Sequence, residues 1–437
     1  MQAMRGMALG FWMLVLAGAA LAQSPSAPPL GRPAGDESAP LVERFDPEAA
    51  TEVYLATLDP EKRARSDAYF EGGYWLLLWS FLYGLAVYGF LLVSRLSARM
   101  RDLAERMTRF RPLQTVLYAV QFILVTTLLF FPLTLYTDFF REHQYGMATQ
   151  GFPAWMGDQL KALAVSLVLG SLALMGLYGV LRKAPKNWWL WGAVVALSFL
   201  IVGVALGPVF IEPIFNDYTE LADPAVREPI LSLARANGIP AEHVYVVDAS
   251  RQTKRISANV AGMFGTTRIA LNDNLLKRTS PGGIEAVMGH EMGHYVLNHV
   301  YKMILYFGVV LTAGFAFLGW AFERIAAGRG ERWGLRGVGD TAGLPLLVAL
   351  LSVYFFVLTP LNNTYIRTAE AEADIFGLNA ARQPEGFSEV ALQLSEYRKL
   401  APGPLEEWVF FDHPSGRNRI LMAMRWKAEH LGETTGP

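Results

Sequence analysis

His290-Glu291-Met292-Gly293-His294 sets two imidazoles four residues apart, with a carboxylate beside the first. The surrounding run from Ile284 to Tyr295 has helical periodicity, and the chain enters it through Pro281-Gly282-Gly283. On a helix, positions i and i+4 share a face, so His290 and His294 can each aim a ring nitrogen at one tetrahedral Zn²⁺. Glu291 then stands at the edge of the ion, where it can take a proton from water. A zinc peptidase needs this arrangement. The helix feeds an apolar stretch beginning near Met303, which puts the metal motif close to a membrane surface.

The bulk composition agrees with that placement. Of 437 residues, 52% are hydrophobic and 18% charged, which is a membrane composition. The net charge of −1 points to no polyanionic partner, and no nucleic-acid motif is present. With no cysteine, the chain has no thiol nucleophile, no cysteine metal ligand and no disulfide. No partner protein is deducible, so the expected partners are a polypeptide substrate and the lipid bilayer.

Residues 1–22 carry Arg5, an apolar run from Met7 to Leu16 and Ala20-Leu21-Ala22, which reads as a signal peptide cut after Ala22 or as an uncleaved signal anchor. Residues 23–71 read as a flexible extracytoplasmic tether, Pro/Ser/Gly-rich from Ser24 to Pro40. Six further apolar stretches are long enough to cross a bilayer of about 30 Å. They run roughly from Tyr74 to Val93, Leu113 to Tyr136, Ala162 to Leu181, Trp188 to Phe210, Met303 to Phe322 and Leu344 to Leu361.

Three of the intervening loops are basic: Arg95 to Arg111, then Arg182, Lys183 and Lys186, then Arg324 to Arg336. If the spans simply alternate, all three fall on one side, and the positive-inside rule makes that side cytoplasmic. The loop from Asp138 to Asp158, the polar region from Asp217 to Val300 and the C-terminus then face outward. Within that polar region, Pro224 to Asn237 has a helical pattern and His243 to Asp248 a strand pattern. Ile256 to Val260 and Arg268 to Asn272 flank the turn at 262–267 like a hairpin. A strand at the edge of such a sheet can hold an extended peptide by backbone hydrogen bonds, or can be scaffold alone.

Catalytic zinc takes three protein ligands and keeps one open position. His299 lies nine residues after His290, which turns it about 180° around a continuous helix, so it cannot complete the site. A better donor comes after the last span, in Glu370-Ala371-Glu372-Ala373-Asp374. Glu370 and Asp374 share a helix face, so one carboxylate can bind metal while the other accepts the free N–H of a ligand histidine. Glu372 points elsewhere, about 200° from Glu370.

The order of His290-Glu291-Met292-Gly293-His294, Glu370-x-x-Ala373-Asp374, then His413-Pro414-Ser415 with Arg419-Ile420, resembles the M48 metallopeptidases, and among them the Ste24 type, the CAAX prenyl protease 1 branch. The likeness runs from about Leu76 to Arg425. It takes in Arg141-Glu142-His143-Gln144-Tyr145-Gly146, Ser257-Ala258-Asn259-Val260 and Arg268-Ile269-Ala270-Leu271-Asn272-Asp273, although Val260 stands where the family has a tyrosine.

The resemblance implies one Zn²⁺ held by His290, His294 and Glu370, with Glu291 as general base and Asp374 supporting a ligand. It also implies that Asn259 and His413 hold the substrate carbonyl or its oxyanion, with Arg419 supporting that region. The architecture it implies is a ring of seven long helices around a water-filled chamber, capped by the zinc domain.

The expected fold is therefore a mostly α membrane protein with six to seven transmembrane helices and an α+β zincin-like metalloprotease domain. Its parts are 1–22 signal, 23–71 tether, 72–213 four spans, 214–302 peptidase domain, 303–361 two spans and 362–437 the rest of the peptidase domain. The expected function is a zinc endopeptidase of a bacterial inner membrane with its catalytic domain on the periplasmic side, cleaving exported or membrane-associated polypeptides. The alternatives are an HtpX-like quality-control protease and a membrane scaffold stabilised by zinc without catalysis.

Overall fold

The computed structural model describes residues 45–261 and 267–431; the expected signal segment at 1–22 lies outside them. The chain begins with α1 (Pro47–Ala56), whose N-cap Asp46 accepts the backbone N–H of Glu48 and Ala49. Asp59 and Pro60 then start α2 (Pro60–Val93), with the Asp59 carboxylate accepting from Glu61. The expected tether is thus corrected from residue 47 onward. Two Asp-Pro pairs start helices there, because aspartate caps the free N–H groups and proline at the first helical position gives up a donor that has no partner anyway.

Next come α3 (Leu96–Met107), α4 (Arg111–Thr134), α5 (Phe152–Lys183) and α6 (Trp188–Leu206). Pro132 lies inside α4, and after it the helix widens to π geometry over Leu135–Phe140 before closing at Arg141–Gln144. A helix therefore occupies the first turns of the expected outward loop at Asp138.

The polar region follows as β1 (Tyr218–Glu220), α7 (Pro224–Ala236), β2 (Val244–Val247), β3 (Ala258–Ala261) and β4 (Arg268–Asn272). These strands form one sheet in the order β1-β2-β4-β3, with β2 parallel to β4 and β3 antiparallel to it. β3 is an edge, and Asn259 lies opposite Ala270. The chain continues through α8 (Pro281–Val296), α9 (His299–Trp333), α10 (Leu344–Val357), α11 (Thr359–Ala381), α12 (Pro384–Leu394) and α13 (Gly416–His430).

Among the described residues, five helices are long and apolar enough to span a bilayer: α2, α4 with its continuation to Gln144, α5, α6 with its continuation to Phe215, and α9. A sixth candidate is the pair α10 and α11, bent by 59°. The straight span expected to Leu361 therefore ends at Val357. Pro360 lacks the N–H that would continue the ladder, and its ring crowds the carbonyl four residues back, so the helix turns there. Contacts run from α2 to α4, α5, α6, α9, α10 and back to α2, so the spans form a closed circuit. That circuit has six members among the described residues, within the six to seven expected.

The three basic loops meet at one end of it. Arg95 donates to the carbonyl of Arg332, Arg101 to that of Gly334 and Arg182 to that of Gly339. α9 has 35 residues and starts at His299 beside the histidine motif, so at 1.5 Å per residue the basic end lies about 50 Å along the helix from that motif.

At the other end the sheet and α8 share one core, built on Val244, Ile269, Leu271, Met288 and Met292. Glu142 ties this unit to the membrane helices: it accepts from Tyr69 on α2 at 2.6 Å and pairs with Arg255 at 2.8 Å. α11 returns from the bent span and lies along α8 at very close range. A Cβ on Gly377 would stand 2.7 Å from the backbone N of His290, and one on Gly289 would stand 3.0 Å from the carbonyl of Gly377. Gly293 meets Ala373 in the same way, at 3.1 Å. Small residues four apart on both helices let the two backbones touch.

Gly377→Ala is expected to lower stability by about 1–3 kcal/mol through overpacking. Gly89→Ala, on α2 with open space around it, should leave the melting temperature unchanged or slightly raised. Thermal unfolding of the purified protein in detergent checks both; equal shifts at the two positions would contradict the close seam.

Candidate active site

Ser280 accepts the N–H of Gly283 and Pro281 follows it, which starts α8. Two turns later the helix presents His290 and His294 on one side, their Nε2 atoms 3.1 Å apart. α11 brings Glu370 to the same point. Its Oε2 lies 3.3 Å from His290 Nε2 and its Oε1 lies 3.5 Å from His294 Nε2. The donor atoms of these three side chains all lie within 4.8 Å of one another.

The opposite edges of the site are also engaged. Asp374 Oδ1 lies 2.7 Å from His290 Nδ1, so that imidazole is held at both nitrogens. Arg419, from the first turn of α13, bonds Asp374 through both Nε and Nη2. Arg419 was expected to support the region of the substrate carbonyl, and its contacts here are with the groups behind His290. It is buried, it bonds Asp374 and also lies 3.5 Å from His290 Nδ1 through Nη2, and it braces the carboxylate behind His290.

His413 comes from the loop before α13 and reaches the open side. Its Nε2 lies 3.1 Å from Glu370 Oε2 and its Nδ1 lies 2.8 Å from Asp412 Oδ1. Asp412 is a residue the sequence reading passed over, and the only available signal was its place directly before the His-Pro pair. Asn259 sits on β3, which packs on α8, and its side-chain oxygen is buried with no hydrogen-bond partner.

The donor set fits a divalent cation. Glu370 Oε2 is buried and has no hydrogen-bond partner although two imidazole nitrogens approach it. Lone-pair atoms packed this closely and this dry are unfavourable unless a cation or protons lie among them.

The acid–base properties point the same way. Burial disfavours a charged His290, but the negative carboxylates of Asp374 and Glu370 beside it outweigh that and raise the ring to about 10. His294 is pushed down to about 4 by burial and by the neighbouring His290 charge, so its nitrogens stay free to bind. Burial pushes Glu291 up to about 7, a value suited to taking and returning protons near neutral pH.

Residues 220–427 match the family described as Peptidase family M48, and residues 46–217 match the one described as CAAX prenyl protease N-terminal, five membrane helices. The chain is 32% identical over 337 residues to a Bacillus subtilis (strain 168) protein titled "Uncharacterized metalloprotease YhfN", covering 76% of this chain and 78% of that one. It is 31% identical over 204 residues to CAAX prenyl protease 1 of Saccharomyces cerevisiae, covering 45% of each. With the human CAAX prenyl protease 1 homolog the identity is 24% over 386 residues, covering 77% and 78%. Among solved structures, the crystal structure of S. mikatae Ste24p superposes with a TM-score of 0.73 at 21% identity, covering 86% of this chain and 95% of that one. That likeness shows the fold.

Because the raised His290 is protonated at neutral pH, a metal must displace that proton. Apparent Zn²⁺ affinity should therefore rise with pH between 6 and 9, with about one proton released per ion at pH 7. Calorimetric titration in buffers of different ionisation enthalpy measures this, and a pH-independent affinity would contradict the paired-histidine geometry.

Proposed function

The chain belongs to peptidase family M48, as a membrane metallopeptidase of the Ste24 type, and from that premise we propose that it is a zinc endopeptidase that uses His290, His294 and Glu370 as metal ligands. The observation that carries this reading is the convergence of those three side chains, two from α8 and one from α11, on a single point. Zn²⁺ in such a site supplies Lewis acidity, which polarises a carbonyl and makes water a competent nucleophile at neutral pH.

The chain's own groups do the rest. Glu291, made more basic by burial, takes the proton from the attacking water and returns it to the leaving amine. His413 faces the open side of Glu370 with Asp412 behind its Nδ1. From that position its Nε2, when it carries a hydrogen, can donate to the substrate oxygen as it takes on charge. An extended peptide laid along β3 would find a free strand edge and the unpaired amide oxygen of Asn259. Asp374, locked by Arg419, keeps the His290 ring aimed at the ion.

In this reading the protein sits in a bacterial inner membrane with the catalytic unit on the periplasmic side, and it cleaves exported or membrane-associated polypeptides near the outer bilayer surface. Support comes from the joining of the three basic loops at the end of the helix circuit remote from the histidines.

Glu291→Gln should keep a full complement of zinc and lose about 10²–10⁴-fold in turnover of an unfolded reporter protein. Undiminished hydrolysis by that variant would remove Glu291 from the mechanism. For sidedness, alkaline phosphatase fused after Pro437 should be active in intact bacteria, while a reporter that folds only in the cytoplasm should stay dark; the reverse pattern would place the catalytic unit inside.

A further inference from the structure

His299 does not behave as a helical wheel requires. α8 ends at Val296, Asn298 takes a left-handed conformation with φ of 57°, and α9 starts afresh at His299. The break swings the His299 ring back against His294, Nδ1 to Nδ1 at 2.9 Å. On its far side, His299 Nε2 lies 3.0 Å from Glu372 Oε2, and Lys302 holds the same oxygen at 3.1 Å. His299 is only 1% exposed.

We infer that His299 and Glu372 are positioning residues that fix the tautomer and aim of His294, an inference that rests on His294 being a metal ligand as proposed above. With one hydrogen on each imidazole, the geometry leaves one consistent assignment of protons. An ionised Glu372 can only accept, so His299 carries its hydrogen on Nε2 and presents a bare Nδ1. A bare Nδ1 on His299 requires the hydrogen of His294 to sit on Nδ1. The Nε2 of His294, which faces Glu370 and His290, is then left with a free lone pair, as a ligand must be.

α11 thereby serves both histidines. Asp374 reaches Nδ1 of His290 directly, and Glu372, two residues earlier and on another face, reaches Nδ1 of His294 through an interposed imidazole. Glu370 stands between them at the ion.

Competition between the purified full-length protein and a chromophoric zinc chelator, at one pH, tests this. Wild type should bind one zinc per chain. His299→Leu removes the acceptor and should weaken binding by about 10–100-fold. His299→Asn puts an amide oxygen close to where Nδ1 was, and should recover most of that loss. Glu372→Ala, at a half-exposed site where truncation spares the fold, should weaken zinc binding while leaving the melting temperature of the zinc-free protein in place.

A buried histidine that merely fills space gives the opposite order: leucine tolerated, asparagine worse, and Glu372→Ala without effect on zinc. That order, or wild-type affinity in both His299→Leu and Glu372→Ala, overturns the inference while the ligand assignment stands. A wild-type protein that binds no zinc overturns the ligand assignment itself.

Discussion

The contact between α8 and α11 sets the rest of the structure. Gly289, Gly293 and Gly377 remove the side chains that would hold these two helices apart, and Ala373 continues the seam. Only at that spacing can a carboxylate as short as Asp374 reach Nδ1 of His290 while Glu370, one turn away, reaches its Nε2. The two helices are separated in sequence by α9 and α10, so closing the seam brings together segments on either side of two membrane passages. The bend of 59° between α10 and α11 makes that possible, because it turns the chain out of the span direction and lays it against α8.

The site is polar in an ordered way. One helix gives both imidazoles and Glu291, and the other gives carboxylates at positions 370, 372 and 374, each with a different neighbour. Glu370 is left with a buried, unpaired oxygen facing the histidines, whereas Asp374 is saturated by Arg419. That contrast supports the proposed roles: the free lone pair is at the centre, and the satisfied carboxylate lies behind His290. The sheet contributes its edge strand β3 alongside, and Glu142 with Arg255 and Tyr69 anchors the whole unit to the membrane helices.

Much of this was legible in the sequence because it depends on local spacing. The i, i+4 histidines and the i, i+4 pair Glu370 and Asp374 follow from helix geometry alone, although which acid would face the metal did not. The basic loops predicted one common end, and hydrogen bonds between the loops bring them to one. What escaped the sequence was set by breaks in regular structure. A helical wheel carries His299 away from His294 only if the helix continues through Asn298, and it does not. The same wheel discards Glu372 as pointing elsewhere, which is correct, but elsewhere is His299. The pairing of Arg419 with Asp374 also escaped, because the direction of a side chain on a distant helix depends on packing that no local pattern encodes. The helices at 47–56 and from 60 were readable from Asp46-Pro47 and Asp59-Pro60, and a composition argument about the preceding Pro-rich stretch obscured them.

X-ray absorption at the zinc edge of the purified, metal-loaded protein bears most directly on the meeting of His290, His294 and Glu370 at one ion. The predicted spectrum has nitrogen and oxygen neighbours at about 2.0–2.2 Å and the outer-sphere scattering of two imidazoles, with one imidazole lost in His294→Ala. A spectrum lacking imidazole scattering, or one that His294→Ala leaves unchanged, would contradict the account.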